Sequence, residues 1–496
     1  MGECPVRKLG NTFRSAPRII CMPIKLSATR LDLGTARLDN AALKNASQSV
    51  NALGSVSGAT TINLALGSVV TATIAGATTF SVTNVPSSTQ YNSFTLILTN
   101  GGAHAVTWMS GTIWLSGAGQ FGSAPTLTAV GGTDVLTFFT TDNGASWRGT
   151  LAMANMAGGS QLFMWGSNNN GQLGLADTVH RSSPVQISGT WARISLGIDR
   201  SFALKPDGSL FAWGTNFAGE LGQGDTVYRS SPVQISSTWA VATAGRAHVL
   251  ALKQYGSLWA WGFNGVGRLG LGDVANRSVP TQISGTWFLA SSGYLHSAAL
   301  KSDGSLWMWG GSHVGQLGLG DSGVNRSSPV QLTGTWSSVT LGNHLSTALR
   351  SNGALWIWGE SGGRLGLGDT IGRSSPVQLP GTWSSASHGL NFSSALKSDG
   401  SLWMWGFNGK GQLGLGDVAY RSSPVQLPGT WSSVSLGNSH AVGIKADGSM
   451  WAWGYGYTGR IGVGGTFNRS SPVQIAGTWG LVGLGHNALM SAALRQ

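Results

Sequence analysis

The chain reads as an all-β protein: a seven-bladed β-propeller preceded by a small β-sandwich-like domain. Three observations predict this. The dipeptide Trp-Gly recurs at 165, 213, 261, 309, 358, 405 and 453, at intervals of 47 to 49 residues. A second tryptophan, mostly after Gly-Thr, follows in each unit at 191, 239, 287, 336, 383, 431 and 479. Finally, 76 glycines and 22 tryptophans with only 10% charged residues favour short strands joined by tight turns.

One unit, written from Ser401, runs SLWMWG, FNGKGQLGLGDVAYRS, SPVQL, PGT, WSSVSLG, NS, HAVGIK, ADG. Strand-like runs alternate with turn chemistry four times, and Asp-Gly between two such runs is a strong hairpin signal. Leu402 and Met404 point to one face of their strand, Trp403 and Trp405 to the other. With both faces apolar, the strand is expected to lie between two neighbouring sheets. Four strands in each unit describe propeller blades. The C-terminal ALMSAALRQ matches the last strand of a unit, and SQLFMWG at Ser160 matches the first. The two ends are therefore expected to pair and close the ring, because an open ring would leave unpaired strand edges.

Ahead of the repeats, strand-like text begins at Thr61 and ends in DVLTFFTTDNGASWRGTLA, where an Asp142-Asn143-Gly144 turn suggests a closing hairpin. The expected organisation is a non-native or disordered leader over 1–21, with Met22 as the natural start. An N-terminal arm or linker containing a short helix follows over 22–60. A β-sandwich module is expected over 61–152, a hinge over 153–159 and the propeller over 160–496.

Net charge is +12, and residues 156–496 hold 21 bases against 13 acids, spread once per repeat rather than along one stripe. That distribution argues against a specific nucleic-acid site. Both cysteines, Cys4 and Cys21, lie in the leader, so no thiolate or cysteine metal site is available further on. No apolar run reaches the length of a membrane span, and the N-terminus lacks a signal-peptide core.

GQLGLGD followed at fixed distance by HSAALKSDGSLWMWG resembles the regulator of chromosome condensation repeats, over roughly residues 160–496. That resemblance implies a seven-bladed propeller. Its members include GTPase exchange factors, chromatin binders and a bacterial β-lactamase inhibitor, so it implies no single function. GSAPTLTAVGGTDVLTFFTTDNGASWRG resembles a β module of tailed-phage virion proteins, over about residues 60–152. This second resemblance implies a virion location and contacts with other virion proteins.

Enzyme-like strings are weak. Gly454-Tyr455-Gly456-Tyr457-Thr458-Gly459 matches GxGxxG, but no helix can follow to hold a phosphate. Gly359-Glu360-Ser361-Gly362-Gly363 matches GxSxG in a loop written FNGKG elsewhere. His248, His296 and His440 sit at equivalent places on different blades and are expected to bond the backbone at a strand start, not a metal. The arginines at 181, 229, 277, 326, 373, 421 and 469 could ring an anion, but their constant spacing from aspartates favours local clasps. Gly465 leaves Arg469 without that partner. Paired tryptophans could stack on sugars, yet their repetition marks packing between blades.

The repeats disagree in two loop sets that fall on one face of the disc. Phe217, Tyr294, His313, Lys410, Tyr455 and Tyr457 are the expected contacts there. The preferred expectation is a non-enzymatic virion protein: a tail fibre, head fibre or decoration protein. Its propeller would meet a host-surface glycan or protein, in a homo-oligomer with no cofactor or metal. The alternative is a propeller that regulates a GTPase or other protein partner, as an exchange factor or inhibitor. An exchange factor is expected to carry an insertion in one blade, and none breaks the rhythm of the repeats.

Overall fold

Blade strands form where β-branched and aromatic residues alternate between turn formers, and the computed structural model shows how they stack. It describes residues 25–27, 30–32, 50–66, 69–85, 92–99, 102, 104–109, 112–116, 120–122, 127, 133–140, 147–153 and 160–495 without 254, 255, 486 and 487. The expected leader, the Asp142–Gly144 turn and the hinge beyond Met153 lie outside the described residues.

Seven four-stranded antiparallel sheets make the propeller. In the first, Arg193–Leu196 lines the centre, Arg200–Leu204 and Ser209–Gly214 follow outward, and Arg229–Thr238 is outermost. Blades 2 to 6 repeat this order in sequence from Val241 to Thr478. Blade 7 is made of both ends: Leu481–Gly483 and Met490–Arg495 from the C-terminus, then Ser160–Gly166 and Arg181–Trp191 from the start of the ring. The register runs from Gln161 opposite Arg495 to Gly166 opposite Met490, which is the expected closure. Each outermost strand carries a proline, as in RSSPVQL, which an edge strand tolerates because no further strand pairs with its outer side.

The two faces of one strand pack on opposite neighbours. Leu402 and Met404 of blade 5 join Trp431, Val434 and Trp453 of blade 6, whereas Trp405 joins Leu345, Leu355 and Trp383 on the side of blade 4. Each blade's Trp-Gly indole donates Nε1–H to a carbonyl in the preceding blade's loop, at 2.7–3.0 Å in all seven cases. That loop must lie flat on its neighbour. A Cβ on Gly414 (φ +72°) would stand 2.8 Å from Trp453 Nε1, which explains the glycine.

The β-rich region before the propeller is present: Lys25–Ser27 and Arg30–Asp32 form a two-stranded antiparallel hairpin, and the described strands from Val50 to Met153 join one mixed sheet. Val50–Asn63 runs parallel to Val69–Thr83, with pairs offset by 19 residues at Val50 and 20 at Asn63. A link of five residues, 64–68, spans that return, so the chain coils back beside itself; the register shifts beside Gly54 and Gly58. The sheet encloses Val56, Ile62, Val70, Ile74, Phe80, Phe94, Leu96 and Phe138. Residues 50–60, expected as linker, are thus strand, because pairing with Val69–Thr83 gives their backbone partners.

Candidate recognition face

Antiparallel order places two loops of every blade on one face: the loop between the innermost two strands and the long loop after Trp-Gly. Local chemistry fixes the long loop. Asn168, Asn216, Asn264 and Asn408 are fully buried, and each donates Nδ2–H to an aspartate nine residues on. Their Oδ1 atoms accept a leucine N–H five residues on. These four aspartates also grip arginines, Asp177 with Arg181, Asp225 with Arg229, Asp273 with Arg277 and Asp417 with Arg421, and Asp369 grips Arg373 in the same way, all at 2.5–2.6 Å. Asp321 with Arg326 makes the sixth clasp. Backbone N–H groups are the leading cause that lowers the carboxyl pKa of Asp177, Asp225, Asp369 and Asp417; at Asp273 it is the Arg277 side chain. The arginine ring is therefore a set of local clasps, with Arg469 lacking its carboxylate.

The histidines are structural too: they stand at strand starts as expected, a backbone hydrogen bond with Met490 acts on His440, and each has in addition a serine partner in the next blade. His248, His296 and His440 are fully buried, and their Nε2 atoms meet Ser297, Ser346 and Ser491 hydroxyls of the next blade at 2.8–2.9 Å. Each serine donates in turn to the carbonyl that receives the blade's indole, as Ser297 does to Arg268 at 2.7 Å. Burial holds the His440 pKa well below 6.5. Ser361 of the GxSxG string is buried and accepts Gly363 N–H at 3.0 Å, so it shapes a turn. The GxGxxG string ends in a single 3-10 turn over Tyr457–Gly459, with no phosphate-binding helix.

The six predicted contacts all lie on this face, in three groups. Tyr294 and His313 meet through His344, with ring centroids 5.1 and 5.7 Å from it, and the Arg246 guanidinium lies 4.3 Å over Tyr294. Tyr455 stacks on Tyr457 at 5.9 Å and carries Lys410 at 5.4 Å and Arg460 at 5.1 Å. Phe217, well exposed, packs on Phe263, which carries Arg268 at 4.8 Å. The aromatic and basic groups that the sequence reading missed are Arg246, Phe263, Arg268, His344 and Arg460. A signal was present: Arg268 and Arg460 replace the glutamine of the GQLG string. Burial lowers the pKa of each to about 10, and also lowers that of His344. Burial raises Asp199, whose carboxylate accepts from Gln172 Nε2 at 3.0 Å.

The opposite face is built differently. Lys205, Lys253, Lys301, Arg350, Lys397 and Lys445 each sit 4.0–5.7 Å over two aromatic rings, and Arg495 lies 5.9 Å over Trp479. Its cations are spent on packing the blades.

The model of the regulator of chromosome condensation (RCC1) repeat matches residues 160–204, 207–252, 255–300, 303–349 and 399–444, and a second model of that repeat matches 431–460. The propeller is built of RCC1 repeats. Human WBSCR16 superposes with a TM-score of 0.62 at 20% identity, over 68% of this chain and all of that one. Yeast RCC1 (Prp20), solved bound to Kap60, gives 0.61 at 21% identity, over 68% of this chain and 88% of that one. Prp20p of Saccharomyces cerevisiae, described with its binding to Gsp1p and histones, gives 0.62 at 20% identity, over 69% and 93%. At such identities the likeness shows the fold. No curated protein matches the chain. These matches correct the expected virion location: the RCC1 propeller's relatives are human and yeast proteins. That expectation rested on residues 60–152 alone, where a curled sheet over an apolar core is a fold-level feature that fixes no location. Among the described residues, no helix is long and apolar enough to cross a membrane.

Proposed function

We propose that this chain is a non-catalytic regulator-type propeller that binds a protein partner through the face carrying Phe217, Tyr294, His313, Lys410, Tyr455 and Tyr457. The observation that carries this reading is the asymmetry of the disc. One face holds its cations on aromatic pairs beside turns that are mostly Asp-Gly, whereas the other presents varied aromatic tips, with Phe217 and Phe263 on loops anchored by buried Asn216 and Asn264. Rigid, exposed tyrosine and phenylalanine side chains are the groups that anchor protein interfaces. The proteins bound by the yeast relative, Kap60, Gsp1p and histones, support a protein rather than a glycan as the partner. The preceding sheet is proposed to tether or oligomerise the propeller.

The test is capture on the immobilised full chain, with Gsp1p and histones as first candidates and cell extract as the wider source. The comparison sets wild type against Phe217→Ala/Tyr455→Ala/Tyr457→Ala and against Lys301→Gln on the opposite face. A partner kept by wild type and Lys301→Gln but lost by the triple variant supports the reading. A partner kept by the triple variant and lost by Lys301→Gln places recognition on the wrong face and refutes it.

A further inference from the structure

Around Tyr294 the recognition face holds two cations without a counter-charge. Arg268 is 2% exposed, its Nε has no partner, and it donates from Nη1 only to the Tyr294 carbonyl at 3.3 Å. Arg246 is exposed and stacks on the ring of the same tyrosine. Among the described residues no carboxylate lies within ion-pair distance of either.

Comparable arginines elsewhere on this face are compensated. Arg364, which occupies the equivalent position in blade 4, pairs with Glu360 at 3.2 Å. Buried Arg200 pairs with Glu220, itself at the Arg268 position of blade 1, at 3.2 Å. Arg460 feels the Asp199 carboxylate. Arg268 instead feels the like charge of Arg246, beyond the burial that already disfavours its cation. A buried, uncompensated charge is costly, and a neutral glutamine stands at this position in three other blades. Nothing in the packing of the fold therefore requires an arginine here.

We infer that Arg246 and Arg268, held on the carbonyl and the ring of Tyr294, form a carboxylate-binding site that takes an acidic side chain of the protein partner. The inference rests on the protein-binding reading above. Arg246 makes the exposed contact, Arg268 supplies the second positive charge in a low-dielectric setting, and Tyr294 keeps Arg246 oriented. A nucleic-acid backbone fits less well. It would need a run of free cations, and most other arginines of this face are already held by aspartates or glutamates.

The test is fluorescence anisotropy on the full chain at low salt, with labelled decaglutamate as probe and labelled decathymidylate as the phosphate counterpart. Wild type is expected to bind decaglutamate saturably. Arg246→Gln and Arg268→Gln are each expected to weaken it by about tenfold or more, and Lys253→Gln on the opposite face to leave it unchanged. Arg268→Gln is also expected to raise the melting temperature of the free protein, because it removes an uncompensated buried charge. Should that variant fold poorly, Arg246→Gln decides alone, since its side chain is exposed. No decaglutamate binding by wild type, equal binding by Arg246→Gln, or tighter Arg246-dependent binding of decathymidylate would overturn the inference. A captured protein partner indifferent to Arg246→Gln would leave the proposed function standing and sink this site alone.

Discussion

Removing the hydroxyl of Ser297 tests how the blades are joined. Ser297 is fully buried, donates to the Arg268 carbonyl at 2.7 Å and faces His248 Nε2 at 2.8 Å. Since its one proton goes to the carbonyl, the hydroxyl accepts from Nε2–H, which sets the tautomer of His248. Ser297→Ala leaves that N–H buried and unpaired, at about 1–3 kcal/mol, and loses a second hydrogen bond of about 1 kcal/mol. The carbonyl keeps its bond from Trp309 Nε1 at 2.9 Å, so no further loss is expected there. The expected cost is about 2–4 kcal/mol. Phe392 of blade 5 and Ala441 of blade 6 occupy the equivalent positions and lie in one apolar cluster. Both rings lean on a glycine, Gly245 for His248 and Gly389 for Phe392, so the slot accepts either. His248→Phe/Ser297→Ala is therefore expected to lose clearly less than the sum of the single variants, because replacing both members of the pair leaves neither facing an unmatched partner. Equilibrium urea unfolding followed by tryptophan fluorescence measures the whole cycle. Additive losses in the double variant would refute the argument, as would a Ser297→Ala cost within the error of the midpoint.

Three further predictions concern charge and closure. His440 stays neutral in the fold, so the unfolded chain takes up a proton near pH 6.5 that the native state refuses; stability is full above pH 6.5 and declines as pH falls toward the lower folded value. Melting temperatures across that window are expected to lose this slope in His440→Phe/Ser491→Ala, and an unchanged slope would count against the assignment. Gly465→Asp supplies Arg469 with the carboxylate its counterparts have, and a gain of about 0.3–1 kcal/mol in urea unfolding is expected. No gain would mean that the clasp needs the asparagine that Gly456 replaces. Deleting residues 490–496 strips the strand paired from Gln161 to Gly166, and size-exclusion chromatography is expected to show self-association through the freed edge. A monomer with unchanged circular dichroism would refute the role of closure.

The seven blades, the closure through Ser160–Gly166, the aspartate–arginine clasps and the packing role of the tryptophans were all legible in the sequence. Each depends on a period or on residues four or five apart. The face proposed for recognition was legible as a set of loops, and the structure places the six named residues on it. Their grouping was not legible, because Tyr294 and His313 meet only through His344 of another blade. The N-terminal coil was also hidden: parallel pairing at an offset of 18–20 residues leaves no local turn signal.

By itself the sequence determined the number of blades and how the ring ends, since a repeat that cannot cover its own apolar faces must stack on copies of itself. Tertiary structure decided which polar groups meet across the blades. His248 finds Ser297 49 positions away, and Trp309 finds the Arg268 carbonyl 41 away. The same stacking leaves Arg268 buried with no carboxylate among the described residues within ion-pair distance, because its charge is balanced only by what neighbouring blades or a partner bring to it.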